Sequence, residues 1–153
     1  MQIPTTLVKI ENRDGHLCAW PDGSVSLEKD ITNKHFYWFM ERFDTGFHVF
    51  RSQFGRYLQI IGDEVNANFT PDSQSFTNMF YIIYTTIQGN QVHIRSIYNT
   101  YLSIRNFIPT SSNCVVGGQD EVFYLVRVED SENKDRECTV SEEELNFDQS
   151  FLS

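Results

Sequence analysis

The sequence predicts an all-β fold built from three repeats of four short strands. The first sign is a recurring pair, Phe-Tyr, at Phe36-Tyr37, Phe80-Tyr81 and Phe123-Tyr124, spaced 44 and then 43 residues apart. A period of that size marks a repeat architecture. The second is that no helical periodicity of useful length occurs in residues 1–128, where short apolar runs alternate with Gly, Asp and Asn turn signals. The third is composition: thirteen Phe and seven Tyr among 153 residues favour strands over helices.

Each element follows from local chemistry. In the first repeat a strand begins at Val8 to Ile10, turns at Asp14-Gly15 and returns through His16 to Trp20. Pro21-Asp22-Gly23 turns the chain into Val25 to Leu27, and a polar bridge leads to the aromatic strand 36–43. The second repeat runs through 47–52, turns at Gly55, returns through Tyr57 to Ile60 and turns at Gly62-Asp63. Val65 to Phe69 follows, then the polar loop Thr70 to Asn78 and strand 79–85. The third runs through Val92 to Ser96 and Tyr101 to Ile104, with its third strand expected at Cys114-Val115-Val116 and its fourth at 122–128.

Period-2 alternation places Leu17, Leu58 and Leu102 on one side, with Ala19, Ile60 and Ile104 beside them. These six and the three Phe of the Phe-Tyr pairs form the expected inner layer. The face buried by 47–50 stays open, because Phe47, His48, Val49 and Phe50 satisfy either register.

The charge is uneven. The chain carries −9, of which residues 129–153 hold −7 through nine acids and two bases, so residues 1–128 are close to neutral. The domain is therefore placed at 1–128, and 129–153 is an acidic C-terminal extension expected to be disordered when free. Ser141 before three Glu suits an acid-directed kinase, and Leu145, Phe147, Phe151 and Leu152 form a candidate docking motif. Net acidity argues against nucleic-acid and anionic-membrane partners. No basic-then-apolar segment opens the sequence, and no stretch reaches membrane-spanning length, so the expectation is a cytoplasmic chain.

Nothing resembles an active site. Cys18, Cys114 and Cys138 are widely spaced and read as free thiols. His16, His35, His48 and His93 lie in or beside strands without metal-ligand spacing, and Gly117-Gly118 lacks the lysine and the strand-to-helix context of a phosphate loop. The chain is expected to be no enzyme and to need no cofactor or metal. Candidate binding residues are Arg51 and Arg95, which share a position in two repeats, Tyr57 and Tyr101 beside them, and Trp20, expected to be an exposed aromatic at a turn.

One phrase carries a resemblance. Arg51-Ser52, four residues, Tyr57-Leu58, one residue and Ile60 matches Arg95-Ser96, four residues, Tyr101-Leu102, one residue and Ile104. The first repeat has a shortened form, Glu11-Asn12, three residues, His16-Leu17. Three repeats of four strands near 43 residues resemble the β-trefoil, which implies a six-stranded barrel closed by three hairpins. Residues 47–60, 91–104 and Leu17 to Val25 resemble the fascin-like group of trefoils. That resemblance implies a non-catalytic cytoskeletal or protein-interaction module with filamentous actin as a partner. Two other trefoil readings stay open: a carbohydrate-binding protein of non-ricin type, since no Gln-any-Trp motif occurs, and a leaderless ligand similar to the interleukin-one family. The heparin-binding growth factors are excluded by the lack of a basic cluster, and the Kunitz inhibitors by the lack of paired cysteines.

Overall fold

A computed structural model describes residues 5–29, 35–72, 75–86, 89–113, 115 and 119–128. The acidic extension lies outside these residues, and with it the expectations for Ser141, Leu145, Phe147, Phe151 and Leu152.

Among the described residues the fold is all-β and β-trefoil-like, with twelve strands and no helix. Six strands close a ring: β1 (Thr5–Asn12), β4 (Tyr37–Arg42), β5 (His48–Ser52), β8 (Phe80–Tyr84), β9 (Gln91–Ser96) and β12 (Phe123–Arg127). Each pairs antiparallel with the next, and β12 returns to β1. The other six form three hairpins: β2 (Gly15–Ala19) with β3 (Val25–Glu28), β6 (Tyr57–Ile61) with β7 (Glu64–Phe69), and β10 (Tyr101–Arg105) with β11 (Ile108–Ser112). Closure removes the free edges that would otherwise template aggregation.

One register recurs where each ring strand passes into its hairpin. Glu11 opposes His16, Arg51 opposes Tyr57, and Arg95 opposes Tyr101. The next residue secures the turn each time. Asn12 Oδ1 accepts from the N–H groups of Asp14 and Gly15, Ser52 Oγ from Phe54, and Ser96 Oγ from Tyr98 and Thr100. Small Asn and Ser side chains are required there because they satisfy turn donors that no strand can reach.

The core holds Leu17, Leu58, Leu102, Ala19, Ile60, Ile104, Phe80 and Phe123 in one cluster, as expected from alternation. The open register of β5 resolves with Phe50 and Ser52 inward; Phe50 and Ser52 are buried, and Arg51 between them is not.

Two expectations are corrected. Phe36 is buried, but in a separate cluster with Cys18, Tyr37 and Val128. Its expected place belongs to Trp38, which opposes Ser52 as Phe80 opposes Ser96. Trp38 can sit in the core because its Nε1 donates to the Leu17 carbonyl at 2.9 Å, so burial strands no polar atom. The Phe-Tyr pair is thus displaced by two residues in the first repeat. The second strand of the last hairpin is at Ile108–Ser112, not Cys114-Val115-Val116; Val115 is in no strand, and Cys114 and Val116 lie outside the described residues. The turn before it puts Asn106 and Phe107 at φ 53° and 64°, a left-handed pair that tightens the hairpin.

Candidate functional site

Val49 sits on the outer face of β5, one residue from the core-facing Phe50, and it is buried all the same. Its cover is the segment between β7 and β8. A half-open cavity of about 300 Å³ lies there, lined by Phe43, Val49, Tyr57, Phe69, Pro71, Ser75, Phe76, Asn78 and Met79. The volume is at the small end of ligand sites, and the aromatic lining with few polar groups is their usual character.

No charged side chain lines the cavity. Phe76 is 53% exposed and offers an apolar face to solvent. Tyr57 packs edge-on against Phe69, with ring centres 6.3 Å apart. Burial, and then the Glu41 carboxylate, raise its phenol above the usual 10, against an opposing pull from Arg51. Its phenol therefore ionises only at a more alkaline pH than that of an ordinary tyrosine.

Asn78 is the polar centre. It is 7% exposed, and its Oδ1 is buried without a hydrogen-bond partner. The neighbouring polar groups are already matched. Thr77 Oγ1 donates to Gln59 Oε1 at 2.7 Å, Gln59 Nε2 donates to Asn66 Oδ1 at 2.9 Å, and Asn66 Nδ2 donates to Glu64 at 2.5 Å. Leaving a buried acceptor unmatched costs about 1–3 kcal/mol, and Asn78 carries that cost in the wall of the cavity.

The corresponding places in the other repeats are filled. The same backbone bond recurs three times: Ala19 N–H to the His35 carbonyl, Ile60 N–H to Thr77, and Ile104 N–H to Asp120. It sets Phe36, Asn78 and Glu121 in one position. Phe36 packs on His16 at 5.3 Å and Tyr37 at 4.6 Å. Glu121 accepts from Ser103 Oγ at 2.5 Å, and its backbone carbonyl accepts from His93 Nδ1 at 2.8 Å. His93 also packs edge-on against Tyr101 at 6.2 Å. Counting back from the recurring pair, Lys9 and His93 stand where Val49 stands. The cavity exists where a long or ringed side chain is replaced by Val and the facing residue is a neutral amide.

Of the residues the sequence singled out, Tyr57 is in the cavity. Tyr101 is not; it packs on His93 instead. Arg51 lies over the Phe39 ring at 4.5 Å with its Nε 3.6 Å from Glu41, and Arg95 lies over Tyr81 at 5.1 Å. The two arginines are on β5 and β9 with β8 between, each stacked on a ring of a neighbouring strand. Trp20 is half-buried rather than freely exposed: Nε1 donates to Ser26 Oγ at 2.7 Å and the ring meets His35 edge-on at 4.8 Å. Val49, Phe76 and Asn78 were missed by sequence reasoning. The one available signal was Phe76, a lone aromatic in a polar loop.

Among the described residues no group of three His, Cys, Asp or Glu is placed to hold a metal ion. No helix of the described residues is long and apolar enough to cross a membrane.

No protein-family model matches the chain, and no curated protein matches it. Solved structures do, in 227 chains. One is described as SeviL bound to asialo-GM1 saccharide. It has a TM-score of 0.68 and 14% sequence identity, covering 82% of this chain and 100% of its own. At that identity the likeness establishes the fold alone.

Proposed function

We propose that this chain is a non-catalytic carbohydrate-binding protein, and that the cavity at Asn78 is its saccharide site. The observation that carries the reading is the buried, unpartnered Asn78 Oδ1 beside the exposed ring of Phe76. A pyranose has what these two lack: donors on one edge and an apolar C–H face that stacks on an aromatic ring. A solved structure of similar fold holding a saccharide supports the same class of ligand. Read as three repeats of a trefoil, the described residues offer one open place at this position and two closed ones, so the proposed site is single.

The fascin-like reading has less support. It names no ligand that the solved structure of similar fold holds, and Arg51 and Arg95 are each stacked on a ring of a neighbouring strand. Filamentous actin is the partner that reading names, and co-sedimentation is its control experiment.

The test is a glycan array probed with the full chain, followed by calorimetry on the strongest hit. The wild type binds and Val49→His does not, because the imidazole occupies the cavity as His93 does in its own repeat. An array without hits, combined with saturable pelleting with actin, would replace this reading with the cytoskeletal one.

A further inference from the structure

Resting on the reading of the chain as a saccharide-binding protein, we infer a second site for that ligand class at a different position, a charged cleft in the third repeat that takes a neutral sugar by its vicinal hydroxyls. The cleft holds about 440 Å³ between the β1–β2 turn and the last hairpin, and Arg13, Asp14, Arg105, Asn106, Phe107 and Asp120 line it. Its position recurs in the first repeat, where it is filled. The backbone bonds that equate His35 with Asp120 run from Ala19 and Ile104, so the next residues, Trp20 and Arg105, correspond as well. Phe54 and Asp14 correspond through the turn bonds that their N–H groups donate to Ser52 Oγ and Asn12 Oδ1. In the first repeat His35 packs between Trp20, at 4.8 Å, and Phe54, at 5.1 Å. The third repeat sets Asp120 with Arg105 and Asp14 in those places, and the space is open. The second repeat has Thr77, Ile61 and Tyr98 there, none of them charged.

Among the described residues no side chain pairs with the Asp120 carboxylate; its backbone carbonyl accepts from Ile104. Arg105 is steadied by the bond that its Nη2 donates to Ser112 Oγ at 3.2 Å, and Arg13 Nε lies 3.6 Å from Asp14. Two cations and two anions line the cleft, so a charged ligand of either sign meets a like charge beside an opposite one. A pair of neighbouring hydroxyls suits both signs, one donating to a carboxylate and the other accepting from a guanidinium. Phe107 supplies the apolar face on which a sugar ring stacks. It is 60% exposed and sits at φ 64° after Asn106 at 53°, a strained backbone for a large side chain. The second hairpin turns with Gly62 at φ 59° instead. Neither core packing nor turn preference calls for a phenylalanine there. The Lys29 ammonium, 5.6 Å from the centre of the ring, helps to fix it.

The experiment titrates methyl glycosides of glucose, galactose and mannose into the nitrogen-15-labelled full chain. The expected result is a set of saturable amide shifts at Asp14, Arg105, Asn106, Phe107 and Asp120, retained in Val49→His, which closes the cavity at Asn78. Asp120→Ala weakens binding at the cleft about 10-fold, the loss of one hydrogen bond to a charged group, and leaves the shifts at Val49 and Asn78 in place. Because its carboxylate has no described side-chain partner to lose, that variant unfolds at the wild-type temperature. Shifts at the Asn78 cavity alone would overturn the second site and leave the saccharide reading standing. Shifts at the cleft alone would uphold the second site and overturn the assignment of the cavity. No shift with any of the glycosides would overturn both.

Discussion

The places occupied by Phe36 and Asn78 are held by the same backbone hydrogen bond and end in opposite ways. In the first repeat Phe36 packs against His16 and Tyr37 and the place is closed. In the second, Asn78 leaves a cavity and an unmatched acceptor. The difference teaches that a cavity can be made on a β-trefoil-like scaffold without altering the barrel. Trp38 and Phe80 still oppose Ser52 and Ser96 beneath the two places. What changes is one side chain on the outer face of a strand and one in the segment that crosses it. The unmatched Asn78 acceptor is locally unfavourable for the folded state, as the proposed role in binding requires.

The largest predicted effect tests the correspondence itself. Trp38→Ala and Phe80→Ala each remove a fully buried aromatic from the main core and are expected to cost about 3–5 kcal/mol in urea unfolding. Phe36→Ala is expected to cost less than either, because its cluster is small and lies apart from that core. If Phe36→Ala proves the costliest of the three, the two-residue displacement of the Phe-Tyr pair is wrong.

A smaller effect distinguishes a binding residue from a packing residue. Asn78→Leu removes the orphan acceptor and fills the place with apolar atoms, so thermal unfolding should show a gain of about 1 kcal/mol together with weaker saccharide binding. A loss of stability would mean that Asn78 is matched within the fold.

The cysteine offers a chemical contrast. Cys18 opposes Ser26 in the first hairpin, as Gln59 opposes Asn66 in the second. Its thiol is pushed up to about 12 by burial and then by Glu28. Iodoacetamide at pH 8 should leave Cys18 unmodified in the native chain and alkylate it in urea, as peptide mass spectrometry will show. Rapid native labelling would mean that the first hairpin opens readily.

The smallest effect concerns pH. Burial, and then Arg42, lower His48 below its usual 6.5. The native state therefore prefers the neutral ring, and the unfolded state binds the additional proton. The stability this contributes is present above 6.5 and is lost as pH falls through the lowered value. Urea midpoints of the wild type and His48→Gln should converge as pH is lowered from 7.5 to 5.5.

Much of the fold was legible because the core obeys simple alternation. Leu17, Leu58 and Leu102 each follow a turn and point inward, where a large apolar side chain fills the core. The pair Arg-Ser before Tyr-Leu was legible for the same reason, since Ser52 and Ser96 secure turns that the spacing already fixed. Trp38 was hidden behind Phe36-Tyr37 because five successive apolar residues satisfy more than one register. β11 was hidden because Pro109 within a run argues against a strand; it is accommodated opposite Ile104 in the hairpin, next to a left-handed turn made without glycine. Of the site, Tyr57 was legible from its repeat position. Asn78 was not, because nothing local distinguishes an amide in a polar loop from one folded down onto β5; only the contact between segments 29 residues apart reveals it.

The most direct test is a nitrogen-15 NMR titration of the full chain with the strongest saccharide from the array. The predicted result is a set of saturable shifts at Val49, Tyr57, Phe76, Asn78 and Met79, with Lys9, His16 and Phe36 in the first repeat and His93, Tyr101 and Glu121 in the third unmoved. Saturable shifts centred on either of those closed places, or spread over the arginine faces of β5 and β9, would contradict the account.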